Sequence, residues 1–216
     1  MAQPFYKSSE IEQIYLNTVR SYNKEQAENM SKLLALLISA LEEKHQDFLG
    51  QIYSMLNLGN AKKGQFFTPY NVSKLMAAIN IIEIENQLAE RDFITLSEPC
   101  SGSGGIVIAF AETLKVKGYN YQHQLFVEAV DIDELCFMMT YIQLALYGIP
   151  ARVILGDTLS LKYQKILYTP MYFINGFYWK LRKRNQENNQ KEAINEVITK
   201  EIKFIDKPIQ LQLFNS

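Results

Sequence analysis

The 216-residue sequence is poor in cysteine, histidine and proline, and it has no long apolar run. Its two cysteines, Cys100 and Cys136, are too few for the disulfide framework of a small secreted domain or for a four-cysteine zinc site. His45 and His123 lie outside any metal-binding spacing such as HExxH, so we predict no metal site. The most apolar run, at 33–41, is far shorter than the roughly 20 residues of a membrane span.

Neither sign of charge dominates, since 22 Lys and Arg residues face 23 Asp and Glu residues and the net charge is −1. No overall field therefore draws the chain to nucleic acid, and DNA binding would need a local basic patch. The start of the sequence (MAQP) lacks the basic and apolar regions of a secretory signal, so we expect a cytoplasmic protein without membrane contact. One α/β domain with a helical extension suits this length.

The first 60 residues are predicted to form an all-helical N-terminal extension. Apolar residues recur at helical spacing from Ile11 to Tyr22 and again from about Ala27 to Gly50, which predicts two helices. The second pattern continues to Leu56 and is broken by NLGN at 57–60. Stripes of this kind indicate packing between helices, and we give them no chemical role.

The stretch EPCSGSGG at 98–105 is the centre of the second predicted region, which covers 61–184. Apolar residues lead into it and a small apolar run follows it, a pattern typical of a strand, a glycine-rich turn and a helix. Glycines at 102, 104 and 105 let the main chain approach a ligand closely, with the first N–H groups of the helix directed at it. Such a turn is common in α/β proteins and does not identify the ligand by itself.

Acidic residues follow the next two predicted strands. The strand at 125–130 ends at Asp131, and the strand at 152–155 ends at Gly156-Asp157, with a helix from Glu134 to Tyr147 between them. Strands alternating with helices predict a parallel sheet. A carboxylate at the tip of the strand after a glycine turn can accept the hydroxyl groups of a ribose. Each aspartate could also be a simple helix cap.

The segment GQFFTPY at 64–70 precedes a predicted helix from Asn71 to about Glu90. Pro69 favours an extended conformation at Thr68 and suits the start of a helix. The segment is either a capped helix entrance with buried phenylalanines or a loop that faces a cofactor. Its residues alone do not distinguish between these two interpretations.

These motifs, in this order, resemble the N6-adenine DNA methyltransferases, and most of all the modification subunit of type I restriction–modification systems. The resemblance rests on GQFFTP at 64–69, EPCSGSGG at 98–105, VDID at 130–133 and GDTL at 156–159, and DFLGQIY at 47–53 adds to it. It covers residues 45 to 160 and implies a Rossmann-like α/β fold with an S-adenosylmethionine pocket. It also implies DNA as a partner, and a specificity subunit as a further one.

The resemblance also implies which residues bind the cofactor. Asp131 would hold the ribose with Ile132 against the adenine, while Asp157 would accept a hydrogen bond from the adenine amino group and Leu159 would pack near the ring. The remaining residues would surround the methionine end: Phe67, Thr68, Pro69, Glu98, Cys100, Gly102 and Gly104.

The catalytic tetrapeptide of that family, Asn/Asp-Pro-Pro-Tyr/Phe, is missing. No two of the six prolines are adjacent, and none follows Asn or Asp. The family uses the tetrapeptide to accept hydrogen bonds from the adenine amino group and to stack on the flipped base. The nearest equivalent is TPMY at 169–172, with Thr169, Pro170 and Tyr172 as candidate catalytic residues; the alternative is a turn without a catalytic role.

The C-terminal part of the sequence contains two further candidate binding segments. Aromatic residues at 173–179 lead into a basic run that would bind DNA, formed by Lys180, Arg182, Lys183 and Arg184. A helix with a buried aromatic face and a solvated basic face explains that run equally well. Residues 185–216 are predicted to be a polar helix and a tail. The tail contains QLQLF at 210–214, which resembles the peptide with which bacterial proteins bind the replication sliding clamp, through Gln210, Leu211, Leu213 and Phe214. The alternative is an edge strand whose apolar residues at 209, 211 and 213 alternate into the core of the domain.

The leading hypothesis is therefore an S-adenosylmethionine-dependent DNA adenine methyltransferase-like protein that lacks the usual catalytic loop. An alternative is a non-catalytic relative that binds cofactor or protein partners in a restriction or anti-restriction system. A nicotinamide dehydrogenase would share the glycine turn and the ribose carboxylate, but it would leave the segment at 64–69 unexplained.

Overall fold

The computed structural model describes residues 9–56 and 67–190. The chain divides into two units, Met1–Phe177 and Tyr178–Ser216. The first unit is a mixed α/β domain with a four-stranded sheet, and the second unit is helical over residues 178–190. In the part of the chain that is described, no helix is long and apolar enough to cross a membrane.

The helices of the first unit begin with α1 (Ser9–Arg20), α2 (Lys24–Glu43) and α3 (Phe48–Met55). After the undescribed residues 57–66 come α4 (Tyr70–Ile79) and α5 (Ile81–Glu90). Strands and helices then alternate as β1 (Ile94–Glu98), α6 (Gly105–Val116), α7 (Tyr121–Gln124), β2 (Leu125–Asp131), α8 (Glu134–Leu146) and β3 (Ala151–Asp157). The unit ends with β4 (Lys162–Tyr168) and α9 (Pro170–Ile174).

The sheet has the order β1-β2-β3-β4, with β1, β2 and β3 parallel. The carboxyl ends of these three strands, at Glu98, Asp131 and Asp157, therefore lie at one edge of the sheet. Strands β2 and β3 have mostly buried residues on both faces, as expected of parallel strands covered by helices. The predicted strands at 125–130 and 152–155 and the helix at 134–147 are confirmed within a residue or two.

The three strands predicted from the sequence are parallel, and the sheet has a fourth strand, β4, that the sequence did not predict. Strand β4 is antiparallel to β3, with Asp157 opposite Lys162 and Arg152 opposite Tyr168. A short turn at 158–161 reverses the chain, and Leu161 adopts a positive φ of 55° within it. A hairpin needs only such a tight connection, whereas a parallel strand needs a long crossover.

Two of the predicted helices are each divided into two shorter helices in the structure. The helix predicted from Ala27 to Gly50 is interrupted at 44–47, where Lys44 is extended and Asp47 caps α3 by accepting a hydrogen bond from the Gly50 N–H. The helix predicted from Asn71 to Glu90 is interrupted at Asn80, which separates α4 from α5. In both places the apolar pattern continues through the interruption, so periodicity alone does not reveal it.

The helical extension and the sheet share one hydrophobic core. Leu37 and Leu41 of α2 are buried in the same cluster as residues of β2, α6 and α8. Much of α1 remains exposed, as does most of α2 up to residue 36, including Tyr15, Leu33 and Leu36. The extension is thus anchored to the sheet through the end of α2 and through α3.

Candidate cofactor pocket at the carboxyl ends of the strands

The glycine turn after β1 needs glycine at two positions. Gly102 and Gly104 have φ angles of +56° and +91°, which side chains of L-amino acids disfavour. A Cβ atom at Gly102 would also lie 3.0 Å from Cδ1 of Phe67. The turn is held to β2 by the Ser101 N–H, which donates to the Val130 carbonyl at 2.9 Å. The sequence requirement for glycine therefore follows from both backbone conformation and a close contact.

A pocket of about 740 Å³ opens beside this turn. Eight of the eleven residues that the sequence assigned to cofactor binding line it: Phe67, Thr68, Cys100, Gly102, Asp131, Ile132, Asp157 and Leu159. Pro69, Glu98 and Gly104 do not line it. The lining also includes residues that the sequence did not assign: Asp47, Pro99, Ser101, Ser103, Gly105, Ile106, Asp133, Cys136, Gly156 and Thr158.

Asp131 holds the glycine turn in place and can still accept a hydrogen bond from a ligand. Its Oδ2 accepts a hydrogen bond from the Gly102 N–H at 2.7 Å, and its Oδ1 accepts one from the Asp133 N–H at 2.9 Å. Burial raises the pKa of this carboxyl, and the two hydrogen bonds oppose that effect. Each carboxylate oxygen has a second lone pair, so Asp131 can hold the glycine turn and still accept a hydroxyl group.

Glu98 lies behind the turn rather than in the pocket wall. Its Oε1 accepts a hydrogen bond from the Cys100 N–H at 3.1 Å, which fixes the first residues of the turn. Burial raises the pKa of Glu98, and the negative charge of Asp131 raises it further. The two carboxyl groups therefore form an acidic pair beside the glycine turn.

Asp157 organises its own turn at the end of β3. Its Oδ1 accepts hydrogen bonds from the N–H groups of Leu159 and Ser160, and its Oδ2 accepts one from the Ser160 hydroxyl. These hydrogen bonds lower the pKa of Asp157, with the Ser160 hydroxyl as the largest cause. The turn is joined to the loop after β1 by the Thr158 hydroxyl, which donates to the Pro99 carbonyl at 2.7 Å.

Two aliphatic side chains of the pocket are exposed. Ile132 is 67% exposed and Leu159 is 97% exposed, although both line the cavity. Apolar side chains in this position gain free energy when a flat apolar group covers them. They are well suited to contact the two faces or the edge of an aromatic base.

Asp47 is one of the pocket residues that the sequence analysis did not assign. It comes from the start of α3, far from the glycine turn in sequence, and its residue is only 5% exposed. Its Oδ2 accepts a hydrogen bond from the Ser103 hydroxyl at 2.5 Å, and its Oδ1 accepts one from Gln143 Nε2 at 2.9 Å. The available signal was its position as the first residue of DFLG at 47–50, where an aspartate is typical of a local helix cap and does not indicate a pocket.

A model of the N-6 DNA methylase family matches residues 44–209, well over half of the chain. The chain belongs to the N-6 DNA methylase family. No curated protein matches the chain at a significant level. The match begins within the connection between α2 and α3, so it includes Asp47 together with the glycine turn and the strand ends.

The segment predicted as the methylase catalytic loop lies near the amino end of β3, whereas the pocket lies at the carboxyl ends of the parallel strands. Thr169 follows β4, and its backbone N–H donates to the carbonyl of Ala151, at the start of β3. The Thr169 hydroxyl donates to the Ile149 carbonyl at 2.7 Å and accepts from the Ala151 N–H at 2.9 Å. Thr169 and Tyr172 are buried, and neither they nor Pro170 line the pocket. The pocket and this segment are thus separated by the length of β3.

The predicted DNA-binding residues belong to the second unit of this methylase-family chain. Within it, Arg182 Nη1 donates to the Tyr178 hydroxyl at 3.3 Å, and Lys183 lies 3.8 Å from the Glu187 carboxylate. These contacts follow from the helical spacing of four residues. The predicted clamp-binding residues at 210–214 lie outside the described part of the chain.

Proposed function

We propose that the protein binds S-adenosylmethionine in the pocket beside the glycine turn. Of the N6-adenine DNA methyltransferase function it keeps the cofactor site, and by itself it transfers methyl groups to DNA very slowly or not at all. DNA is the partner that family membership suggests. The basic run of Lys180, Arg182, Lys183 and Arg184 is the segment that would contact its phosphates.

The charge of the pocket lining is the observation that carries the cofactor proposal. Four lining residues are aspartates (Asp47, Asp131, Asp133 and Asp157), and none of the described lining residues is Lys, Arg or His. S-adenosylmethionine carries a positively charged sulfonium and an ammonium group, which an acidic pocket favours. The pyrophosphate of a nicotinamide dinucleotide is an anion and would meet four carboxylates here, with only turn amides and neutral hydroxyl groups to offset them. The dehydrogenase alternative is therefore disfavoured.

The position of residues 169–172 supports the second half of the proposal. A catalytic loop must reach the methyl group that the cofactor presents, yet these residues lie near the start of β3 while the pocket lies at its end. Their hydrogen bonds join β3 to α9. We assign Thr169, Pro170 and Tyr172 a structural role, consistent with a non-catalytic relative in a restriction or anti-restriction system.

Calorimetry with S-adenosylmethionine tests the cofactor proposal. We expect the wild-type protein to bind, and Ile132→Ala to weaken binding by about 1–2 kcal/mol, or roughly five- to thirtyfold, because apolar area that would cover the adenine is lost. The matched control is Leu161→Ala, since Leu161 is also exposed, at 69%, in the turn after Asp157 but does not line the pocket.

The control variant should bind S-adenosylmethionine as the wild type does. NAD added in place of S-adenosylmethionine should give no heat. Absence of heat with both S-adenosylmethionine and S-adenosylhomocysteine, on folded wild-type protein, would rule out the proposed cofactor. Equal weakening by both alanine variants would show that the adenine does not lie against Ile132.

The tail sequence QLQLF supports a second binding role, on the bacterial replication sliding clamp. Leu213 and Phe214 would fill one hydrophobic pocket of the clamp and Gln210 would donate a hydrogen bond beside it, with an affinity near the micromolar range, about −8 kcal/mol. A pull-down with purified clamp should retain the full chain and lose the Leu213→Ala/Phe214→Ala variant. Equal retention of the two proteins, or retention of neither, would exclude this role.

A further inference from the structure

Asp47 is a buried carboxylate that the helical extension brings into the cofactor pocket. Its hydrogen bonds come from neutral donors: the Gly50 N–H at 2.9 Å, the Ser103 hydroxyl at 2.5 Å and Gln143 Nε2 at 2.9 Å. None of the salt bridges found in the described residues involves Asp47. A buried charge of this kind depends on its hydrogen bonds, and its donors depend on it in turn.

The contacts of Asp47 join three elements at the glycine turn. Gln143 of α8 is fully buried, and its Nε2 donates to the Ser103 carbonyl at 2.7 Å as well as to Asp47. Its Oε1 accepts the Leu49 N–H of α3 at 3.1 Å. Ser103 is therefore held through both its hydroxyl and its carbonyl, by residues that are distant in sequence. A network with all its members satisfied is rigid.

Close packing leaves the turn little freedom around Asp47. A Cβ atom at Gly105 would lie 2.8 Å from Asp47 Oδ2, and one at Gly50 would overlap both Asp47 and Ser103. The carboxylate thus leaves no room for a side chain at Gly105, the first residue of α6, which also lines the pocket. Moving the carboxylate would move the turn on which the cofactor is proposed to lie.

We infer that Asp47 is a positioning residue of the cofactor pocket, acting through Ser103 and Gln143 on the glycine turn. The start of α3, in the helical extension, is then a structural part of the cofactor site. The inference rests on the proposed cofactor, and it predicts that loss of the Asp47 charge loosens the turn before any ligand is added.

Tyr147 provides a matched control, because its hydroxyl forms hydrogen bonds with residues 44–46, next to Asp47, and none of these hydrogen bonds is to the glycine turn. Its hydroxyl accepts the Gln46 N–H at 2.9 Å and lies 3.2 Å and 3.0 Å from the carbonyls of Lys44 and Gln46, to which it can donate. Tyr147→Phe removes hydrogen bonds that hold residues 44–46 to the end of α8, whereas Asp47→Asn retains one oxygen for Gly50 and Gln143 and replaces the oxygen that accepts from the Ser103 hydroxyl. Only Asp47→Asn alters the support of Ser103.

The experiment compares the binding of S-adenosylmethionine to wild type and both variants by calorimetry. Loss of a charged buried acceptor should raise the Kd of Asp47→Asn about tenfold or more, and Tyr147→Phe should stay within about twofold of wild type. Ser103→Ala should weaken binding, and the double variant Asp47→Asn/Ser103→Ala should bind no more weakly than the worse single variant. Thermal unfolding of every variant verifies that it is folded.

Hydrogen exchange without ligand provides the second measurement. The segment 99–105 should exchange faster in Asp47→Asn than in wild type, and at the wild-type rate in Tyr147→Phe. Equal affinity and equal exchange of Asp47→Asn and wild type would overturn the inference alone. If Asp47→Asn and Tyr147→Phe weaken the binding of S-adenosylmethionine equally, Asp47 only attaches residues 44–47 to the domain, and the inference is also overturned. A wild-type protein that binds no cofactor would overturn both this inference and the proposed function.

Discussion

Incubation of the purified protein with tritiated S-adenosylmethionine and mixed-sequence DNA is expected to transfer no measurable methyl groups to adenine. The lone pair of adenine N6 is delocalised into the ring, so an enzyme must accept hydrogen bonds from both amino hydrogens to make it nucleophilic. No Asn-Pro or Asp-Pro pair exists in the chain to provide these acceptors. Positioned hydrogen-bonding groups of this kind are each worth about 10²–10³ in rate.

We propose that the nearest substitute, TPMY at 169–172, does not provide them. The Thr169 hydroxyl already donates to Ile149 and accepts from Ala151, and the residue is fully buried. Transfer should therefore remain at background, on single-stranded and double-stranded DNA alike. Turnover of about 1 per minute or faster, lost on DNA already methylated at N6, would show that another group replaces the tetrapeptide, and it would overturn the proposal of a non-catalytic chain.

Asp131→Ala is expected to have the largest effect of any single substitution on cofactor affinity. It removes the acceptor proposed for the ribose hydroxyls and also the acceptor of the Gly102 N–H in the glycine turn. Loss of a charged acceptor costs about 1.5–3 kcal/mol, so the Kd for S-adenosylmethionine should rise roughly ten- to a hundredfold. Calorimetry on the folded variant measures this change.

Two further variants separate the causes of that loss. Asp131→Asn retains an oxygen for the Gly102 N–H but removes the charge, so its affinity should lie between those of wild type and Asp131→Ala. Asp92→Asn removes the charge of an exposed aspartate just before β1, at the edge of the sheet away from the pocket, and should bind as wild type does. Wild-type affinity in Asp131→Ala would remove Asp131 from the cofactor site.

The pH dependence of binding should follow the same residue. Burial raises the pKa of Asp131, so the carboxyl takes up a proton at a higher pH than an exposed aspartate does. Protonation removes the negative charge that favours the ribose hydroxyls, and affinity should therefore fall as the pH is lowered through this raised pKa. In Asp131→Asn that part of the pH dependence should be absent.

The local parts of the site were determined by the sequence. The strand, glycine turn and helix at 93–111 could be predicted because each of them depends on residues that are close together in the sequence. The same holds for Asp131 and Asp157, since parallel strands bring their carboxyl ends to one edge wherever they lie in the sheet. The resemblance to N6-adenine DNA methyltransferases assigned eleven residues to the cofactor, and eight of them line a single pocket.

What the sequence could not determine depends on contacts between distant residues. The apolar pattern continues past residues 44–47, and only Tyr147 and Gln143, about a hundred residues later, show why the helix stops there and Asp47 turns to Ser103. Strand β4 was not predicted from the sequence, because most of its residues are exposed and polar residues interrupt its apolar ones. Because β4 is antiparallel to β3, Thr169 lies beside the start of β3, at the end of the sheet opposite the pocket. There its hydroxyl forms hydrogen bonds with Ile149 and Ala151, between β3 and α9. Tertiary structure decided these points because their hydrogen bonds join elements that no short stretch of sequence contains.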